Sequence, residues 1–80
     1  MLDAVTKQPI RVIPNQVGSG LLKVPDTQRA EVEAVLDAGK ARYWYLTTAY
    51  APPGEVPLAW LIFSQNESLD RVQALLDEHQ

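Results

Sequence analysis

Residues 43–66 constrain this chain most, because Glu55 is the only charged residue among them. A stretch so poor in charge has to lie inside a domain or face a partner. Residues 52–57 include three prolines and a glycine, so the stretch cannot cross a bilayer as one helix. It is instead predicted to form two strands joined by a turn.

The first of these strands is the strongest in the sequence. Residues 43–48, Tyr-Trp-Tyr-Leu-Thr-Thr, are all aromatic, β-branched or leucine, which is typical of a strand over 42–50. Pro53 and Gly54 fit the centre of a type II turn. The partner strand is predicted over 58–63. Two shorter strands, over 10–13 and 21–24, are predicted to form an earlier hairpin.

Each pair of strands is followed by an amphipathic helix. The first is predicted to begin at Asp26 or Thr27, which can cap it, and to end at Gly39 in the left-handed conformation. The second is predicted to begin at Ser64 or Asn66. Their apolar stripes have helical spacing. They consist of Val32, Val35 and Leu36 in the first helix, and of Leu69, Val72, Leu75 and Leu76 in the second.

The predicted fold is α+β with the order ββαββα, a four-stranded antiparallel sheet with two helices packed on one face. Eighty residues allow one domain, 1–80, in which 1–8 read as a weakly ordered lead-in. At an offset of 40 residues the two helices align, with Val32 on Val72 and Leu36 on Leu76. This makes 1–40 and 41–80 a candidate internal ββα pseudo-repeat, although two amphipathic helices also converge on such a pattern.

Charge and cysteine content exclude several classes of function. The net charge is −3, which argues against duplex DNA binding through phosphate neutralisation. There is no cysteine, so disulfides and thiolate metal sites are excluded and a cytoplasmic location is expected. No cofactor, metal site or membrane segment is expected.

Catalytic residues are not expected either. The single histidine, His79, is the penultimate residue, where a general base would not be held in place. Ser19, between Gly18 and Gly20, lacks a base partner, and anion binding by that loop is a minor alternative to a plain hairpin loop. Glu33 and Asp37 share a helix face and are expected to be solvated.

Strand alternation is used to assign the two faces of the sheet. If Leu22 and Val24 point at the helices, Leu21 points away, and the 40-residue offset then places Trp60 and Ile62 inward. Trp44 and Leu46 are also expected in the core. The expected outer face consists of Leu21, Tyr43, Tyr45, Leu61 and Phe63, rimmed by Arg11 and Lys23.

Such a face is larger than a soluble monomer usually exposes. The leading hypothesis is therefore a small non-catalytic interaction or regulatory module that forms a homodimer through its open sheet, or that binds another protein. The first alternative is a single-stranded nucleic-acid binder that stacks bases on Tyr43 and Tyr45 near Lys23 and Arg11. The negative charge disfavours it. The second alternative is a small enzyme whose site forms between subunits from carboxylates and tyrosines.

Overall fold

The computed structural model describes residues 1–14 and 20–79. It has four strands, a 3-10 turn over Asp26–Gln28 and two α-helices. The strands are β1 (Ile13–Pro14), β2 (Gly20–Pro25), β3 (Tyr43–Ala49) and β4 (Leu58–Phe63), and the helices are α1 (Arg29–Ala38) and α2 (Leu69–Asp77). The predicted order ββαββα is confirmed.

The strands form one antiparallel sheet in the order β1-β2-β4-β3. Each hairpin therefore places its second strand in the centre, where β2 pairs with β4. Because β2 and β3 are both antiparallel to β4, they run parallel to each other and α1 is the crossover between them. The two ββα units thus meet along their central strands.

One side of the sheet and both helices enclose the core. Leu22 and Val24 of β2 point into it, as expected, and are fully buried. They share the core with both helical stripes, so the two helices cover the same face of the sheet. The buried members are Met1, Ile10, Leu22, Val24, Val32, Val35, Leu36, Ala59, Leu61, Phe63, Val72 and Leu76.

The expected direction of β4 is wrong. Leu61 and Phe63, placed on the outer face by the sequence argument, are 0% exposed in the core. Leu22 and Leu61 both point inward and are 39 positions apart, whereas Val32 and Val72 are 40 apart. From the last inward residue of the strand to the first buried residue of the helix there are eight positions in the first unit, Val24 to Val32, and nine in the second, Phe63 to Val72. Applying the even offset of the helices to β4 therefore assigns each of its side chains to the wrong face of the sheet.

The expected direction of β3 is also wrong. β3 pairs with β4, so an error in the faces of β4 changes the faces of β3 as well. Trp44, expected in the core, pairs with Ile62 and is 55% exposed. Leu46, also expected in the core, is the extra residue of a β-bulge between Tyr45 and Thr47 and is 51% exposed. The bulge lets Tyr45 and Thr48 both point toward the helices.

The helix ends differ from the predicted ones. α2 begins after Ser68, whose hydroxyl accepts a hydrogen bond from the Arg71 amide at 3.3 Å, and not at Ser64 or Asn66. Gly39 ends α1 with φ −85°, so it is not left-handed, and Lys40 has the positive φ of 56°.

Close packing explains the glycine at position 39. A Cβ there would lie 2.4 Å from Leu75 Cδ1, so Gly39 allows α2 to approach the end of α1. Arg71 fixes the same junction by donating to the Gly39 carbonyl at 2.6 Å and to the Glu67 carboxylate. The guanidinium therefore satisfies a carbonyl at the end of the helix.

The first twelve residues include the segment 1–8 that was expected to be a weakly ordered lead-in. Met1 and Ile10 are buried, and the Ile10 amide donates to the Met1 carbonyl at 2.9 Å. Two glutamine side chains also hydrogen-bond to the backbone of this segment. They are Gln28, in the 3-10 turn, and Gln73, in α2, and we call residues 1–12 the N-terminal strap.

Each glutamine makes two hydrogen bonds to strap backbone. Gln28 donates to the Leu2 carbonyl at 2.8 Å and accepts from the Ala4 amide at 2.9 Å. Gln73 donates to the Ile10 carbonyl at 3.0 Å and accepts from the Val12 amide at 2.9 Å. Both amides thus act as a backbone peptide would. The loop expected around Gly18 and Ser19 lies outside the described residues.

Candidate interaction surface

The side of the sheet away from the helices, here called the open face, carries one apolar residue from every strand in a single row. Ile13 pairs with Leu21, Leu21 with Ile62, and Ile62 with Trp44. Side chains in directly opposed positions lie about 5 Å apart, so the four form a continuous stripe across the sheet. Ile13 is 42% exposed and Trp44 is 55% exposed.

A second row lies beside this stripe. Trp60 of β4 pairs with Lys23 on one side and Thr47 on the other. The Lys23 ammonium lies 4.6 Å from the centre of the Trp60 ring, within the range of a cation–π interaction. The Trp60 indole N–H is buried and has no hydrogen-bond acceptor in the part of the chain that the structure describes. Leu58 extends the apolar surface toward the end of β4.

The strands of the open face carry no carboxylate in the described residues. Lys23 is their only charged residue. Arg42 directly precedes β3, and its carbonyl accepts from the Ser64 amide at 3.0 Å, so the pairing continues there and Arg42 alternates with Tyr43 on the side of Trp44. Glu55 lies in the turn between β3 and β4, at the opposite end of the hairpin.

The residues expected on the outer face lie on both sides of the sheet in the structure. Leu21 and Lys23 lie on the open face as predicted, and Arg11 is exposed just before β1. Leu61 and Phe63 are in the core. The two tyrosines, which the sequence argument also placed outside, lie on the helix side of β3.

Tyr43 packs between the core and α1. Its ring centroid is 6.4 Å from that of Phe63. Its hydroxyl donates to Asp37 Oδ1 at 2.8 Å and contacts Glu33 Oε1 at 3.4 Å. Glu33 in turn forms an ion pair with Arg29 at 3.2 Å. The carboxylates expected to be solvated therefore bind the neighbouring strand to α1.

Tyr45 is also engaged within the monomer. The Arg29 guanidinium lies 4.2 Å from the centre of its ring, and its hydroxyl contacts that of Thr48. Thr48 donates to Asp26 Oδ1 at 3.2 Å, at the start of the turn that leads into α1. Neither tyrosine is thus available for stacking on the open face.

Burial and the hydrogen bond to Asp37 raise the pKa of the Tyr43 phenol above its usual range. A general base at neutral pH needs a pKa near 7, and this change is in the opposite direction. Glu33 and Asp37 also favour the neutral phenol because they are negatively charged. The cluster is suited to holding α1 against β3.

Tyr43→Phe is expected to reduce the loss of stability at alkaline pH. Because the folded pKa is raised, the unfolded phenol ionises first, near pH ~10, and the folded state loses stability as pH rises from there. Below that pH the contribution is fully present. The free energy of unfolding of wild type and variant, measured by urea denaturation from pH 7 to 11, should converge at high pH. A constant difference would contradict the assigned hydrogen bond.

Two kinds of feature are absent from residues 1–14 and 20–79. No group of three or more histidine or acidic side chains there is arranged to hold a metal ion. Neither helix in this part of the chain is long and apolar enough to span a membrane. His79 is exposed, and its amide donates to the Leu76 carbonyl at 3.2 Å.

Comparison of the chain with protein-family models, with curated proteins and with solved structures finds no match. The geometry of the open face is therefore the basis for inferring function. Its principal residues, Trp44, Trp60 and Ile62, were assigned to the core by the sequence argument. Lys23 marks the solvent side of β2, but its pairing with Trp60, which identifies the open-face residues of β4, is a long-range contact that no local signal in the sequence gives.

Proposed function

We propose that this protein is a non-catalytic interaction or regulatory module that forms a homodimer through the open face of its sheet. The supporting observation is the stripe of Ile13, Leu21, Ile62 and Trp44, which crosses all four strands without a polar residue. Exposed apolar surface of this continuity is typical of an interface. The lack of cysteine fits a cytoplasmic protein.

The exposed apolar side chains of the open face supply part of the area that a stable dimer needs. Trp44, at 55% exposure, offers on the order of 130 Å² by itself. Ile13 and Leu58 are 42% and 37% exposed, and Leu21, Trp60 and Ile62 are partly exposed. A standard interface buries roughly 800 Å² per partner, so these side chains would form its apolar centre and surrounding polar residues would supply the rest.

The sheet edges are poorer surfaces for association. β1 has two residues and ends in Pro14, which has no amide hydrogen to donate. β3 is the long edge, but the bulge at Leu46 interrupts its regular pairing. Short strands, proline and bulges are the devices that prevent edge-to-edge pairing. The face is therefore the surface that favours association.

Single-stranded nucleic acid is a second candidate, because the open face carries Trp44 and Trp60 on adjacent strands. Bases can stack on exposed indole rings, and Lys23 and Arg42 would attract phosphate. The net charge of −3 opposes it. Binding of this kind weakens steeply as salt rises, whereas apolar self-association persists.

Sedimentation of the wild type and of Trp44→Glu combined with Ile62→Glu tests the proposal. Wild type should sediment as a dimer of the 8.9 kDa chain, and the variant as a folded monomer, because two buried charges would oppose the interface. Ala34→Glu combined with Ala74→Glu is the matched control, since both alanines are exposed on the helices. This control should remain a dimer.

Three outcomes would contradict or redirect the proposal. A wild type that stays monomeric at high concentration would overturn self-association. A variant that remains dimeric would place the interface elsewhere. Quenching of tryptophan fluorescence by oligo(dT) at low salt, lost at high salt, with a monomeric wild type would support the nucleic-acid candidate.

A further inference from the structure

Opposite charges lie at the two ends of the β3–β4 hairpin, whose strands form half of the open face. Arg42 lies at the start of β3 and Glu55 lies in the turn that follows it. β3 has seven residues, which span about 23 Å at the rise of a strand. The two described ion pairs involve Arg29 with Glu33 and Arg71 with Glu67. Arg42 and Glu55 thus have no ion-pair partner among the described residues.

Two sheets that pack face to face align their strands to within about 30°, so the ends of one sheet lie over the ends of the other. A two-fold axis allows the strands of the two copies to run either parallel or antiparallel. The parallel arrangement places the two arginines at one end of the interface and the two glutamates at the other, with no arginine facing a glutamate. The antiparallel arrangement brings each arginine to the glutamate of the other chain, twice.

We propose that the open face binds a second copy with the strands antiparallel, so that Glu55 of each copy pairs with Arg42 of the other. This inference rests on the self-association proposed above and specifies its geometry. The apolar stripe supplies the contact area. The two symmetric ion pairs select the direction, because charge complementarity at a rim sets orientation more than affinity.

Lys23 can be accommodated in the antiparallel dimer without an ion-pair partner. Its ammonium lies over the Trp60 ring, which partly compensates a positive charge at the edge of an apolar interface. The open-face strands offer no carboxylate that could pair with it from a second copy. The direction of the dimer therefore depends on the ends of the β3–β4 hairpin.

Charge reversal tests the geometry. Arg42→Glu and Glu55→Arg should each weaken dimerisation about tenfold, because each replaces two attractions by two repulsions. An equimolar mixture of the two variants should form a heterodimer, in which both opposite-charge pairs are restored. The double variant, Arg42→Glu with Glu55→Arg, should dimerise like wild type. Lys40→Glu and Glu31→Arg make the same charge changes at exposed positions off the face and should have no such effect.

The failure of this inference differs from failure of the proposed function. If wild type is dimeric but neither reversal weakens it, or folded variants do not form the heterodimer, the antiparallel geometry is wrong and self-association stands. If Arg42→Gln tightens the dimer, the parallel arrangement is indicated. If wild type is monomeric, both proposals fail together. Circular dichroism establishes that each variant is folded.

Discussion

Phe63→Ala is expected to lower the free energy of unfolding by about 3–5 kcal/mol, the usual cost of removing a buried aromatic ring. Phe63 is 0% exposed and is the largest fully buried side chain. It packs against Tyr43 at a centroid distance of 6.4 Å. Alanine would leave a cavity beneath the helices that neighbouring groups fill only in part. Urea denaturation of the purified variant measures the loss.

Its neighbour Ile62 provides the matched comparison. Ile62→Ala removes an apolar side chain from the next position of the same strand, but on the partly exposed open face. It should cost about 1 kcal/mol or less when both proteins are compared at concentrations where they are monomeric. A larger loss for Ile62→Ala than for Phe63→Ala would mean that β4 faces the other way, as the sequence alternation had indicated.

Gln28→Leu is expected to cost about 2–3 kcal/mol although it conserves volume. Gln28 is 6% exposed and is the one buried polar side chain of the described core. Leucine would remove both hydrogen bonds to the strap and leave the Leu2 carbonyl and the Ala4 amide without partners. Both hydrogen bonds are partly buried, so each is worth about 1 kcal/mol, and any part of the strap backbone left unpaired and shielded from water adds to the loss.

Hydrogen exchange locates the expected effect. The amides of Ala4 and Ile10 should lose protection in Gln28→Leu, while those of β2 and β4 should keep most of theirs. Gln73→Leu, made on the half-buried α2 glutamine, should affect the Val12 amide first. Uniform loss of protection across the sheet would show instead that the strap and the core unfold as one unit.

Variants at Phe63 and Gln28 test the stability of the monomer and not its association. Both side chains are buried within the monomer, whereas the stripe of the open face lies on its surface. A variant such as Leu61→Glu, which the sequence alternation would have offered as a test of the interface, would bury a charge in the core and unfold the chain. Interface variants therefore have to be chosen from Trp44 and Ile62.

The order of elements was determined by the sequence alone. The charge-poor segment broken at 52–57 can only fold as a hairpin, and each hairpin is followed by an apolar stripe at helical spacing. Those stripes are in the core as predicted, with Val32, Leu36, Val72 and Leu76 fully buried. β2 was oriented correctly because Lys23 alternates with Leu22 and Val24.

Only the tertiary structure decided which way β3 and β4 face. Residues 58–63, Leu-Ala-Trp-Leu-Ile-Phe, contain no polar residue, so a period of two gives no direction. Their direction follows from pairing with β2, which is a contact between residues about 40 positions apart. A one-residue difference in the spacing between the inward strand residues and the buried helix residues, Val24 to Val32 against Phe63 to Val72, was enough to invert the assignment.

The N-terminal strap and the tyrosines were likewise beyond the sequence. Nothing local distinguishes Gln28 and Gln73 from surface glutamines, because their role depends on backbone brought to them from residues 2–12. The sequence pattern of Tyr43 and Tyr45 suggests a surface on which bases could stack. In the structure, α1 supplies the carboxylates that bind Tyr43 and the arginine that contacts Tyr45. Local residue types determine which elements form, whereas long-range pairing determines which of their faces remains open.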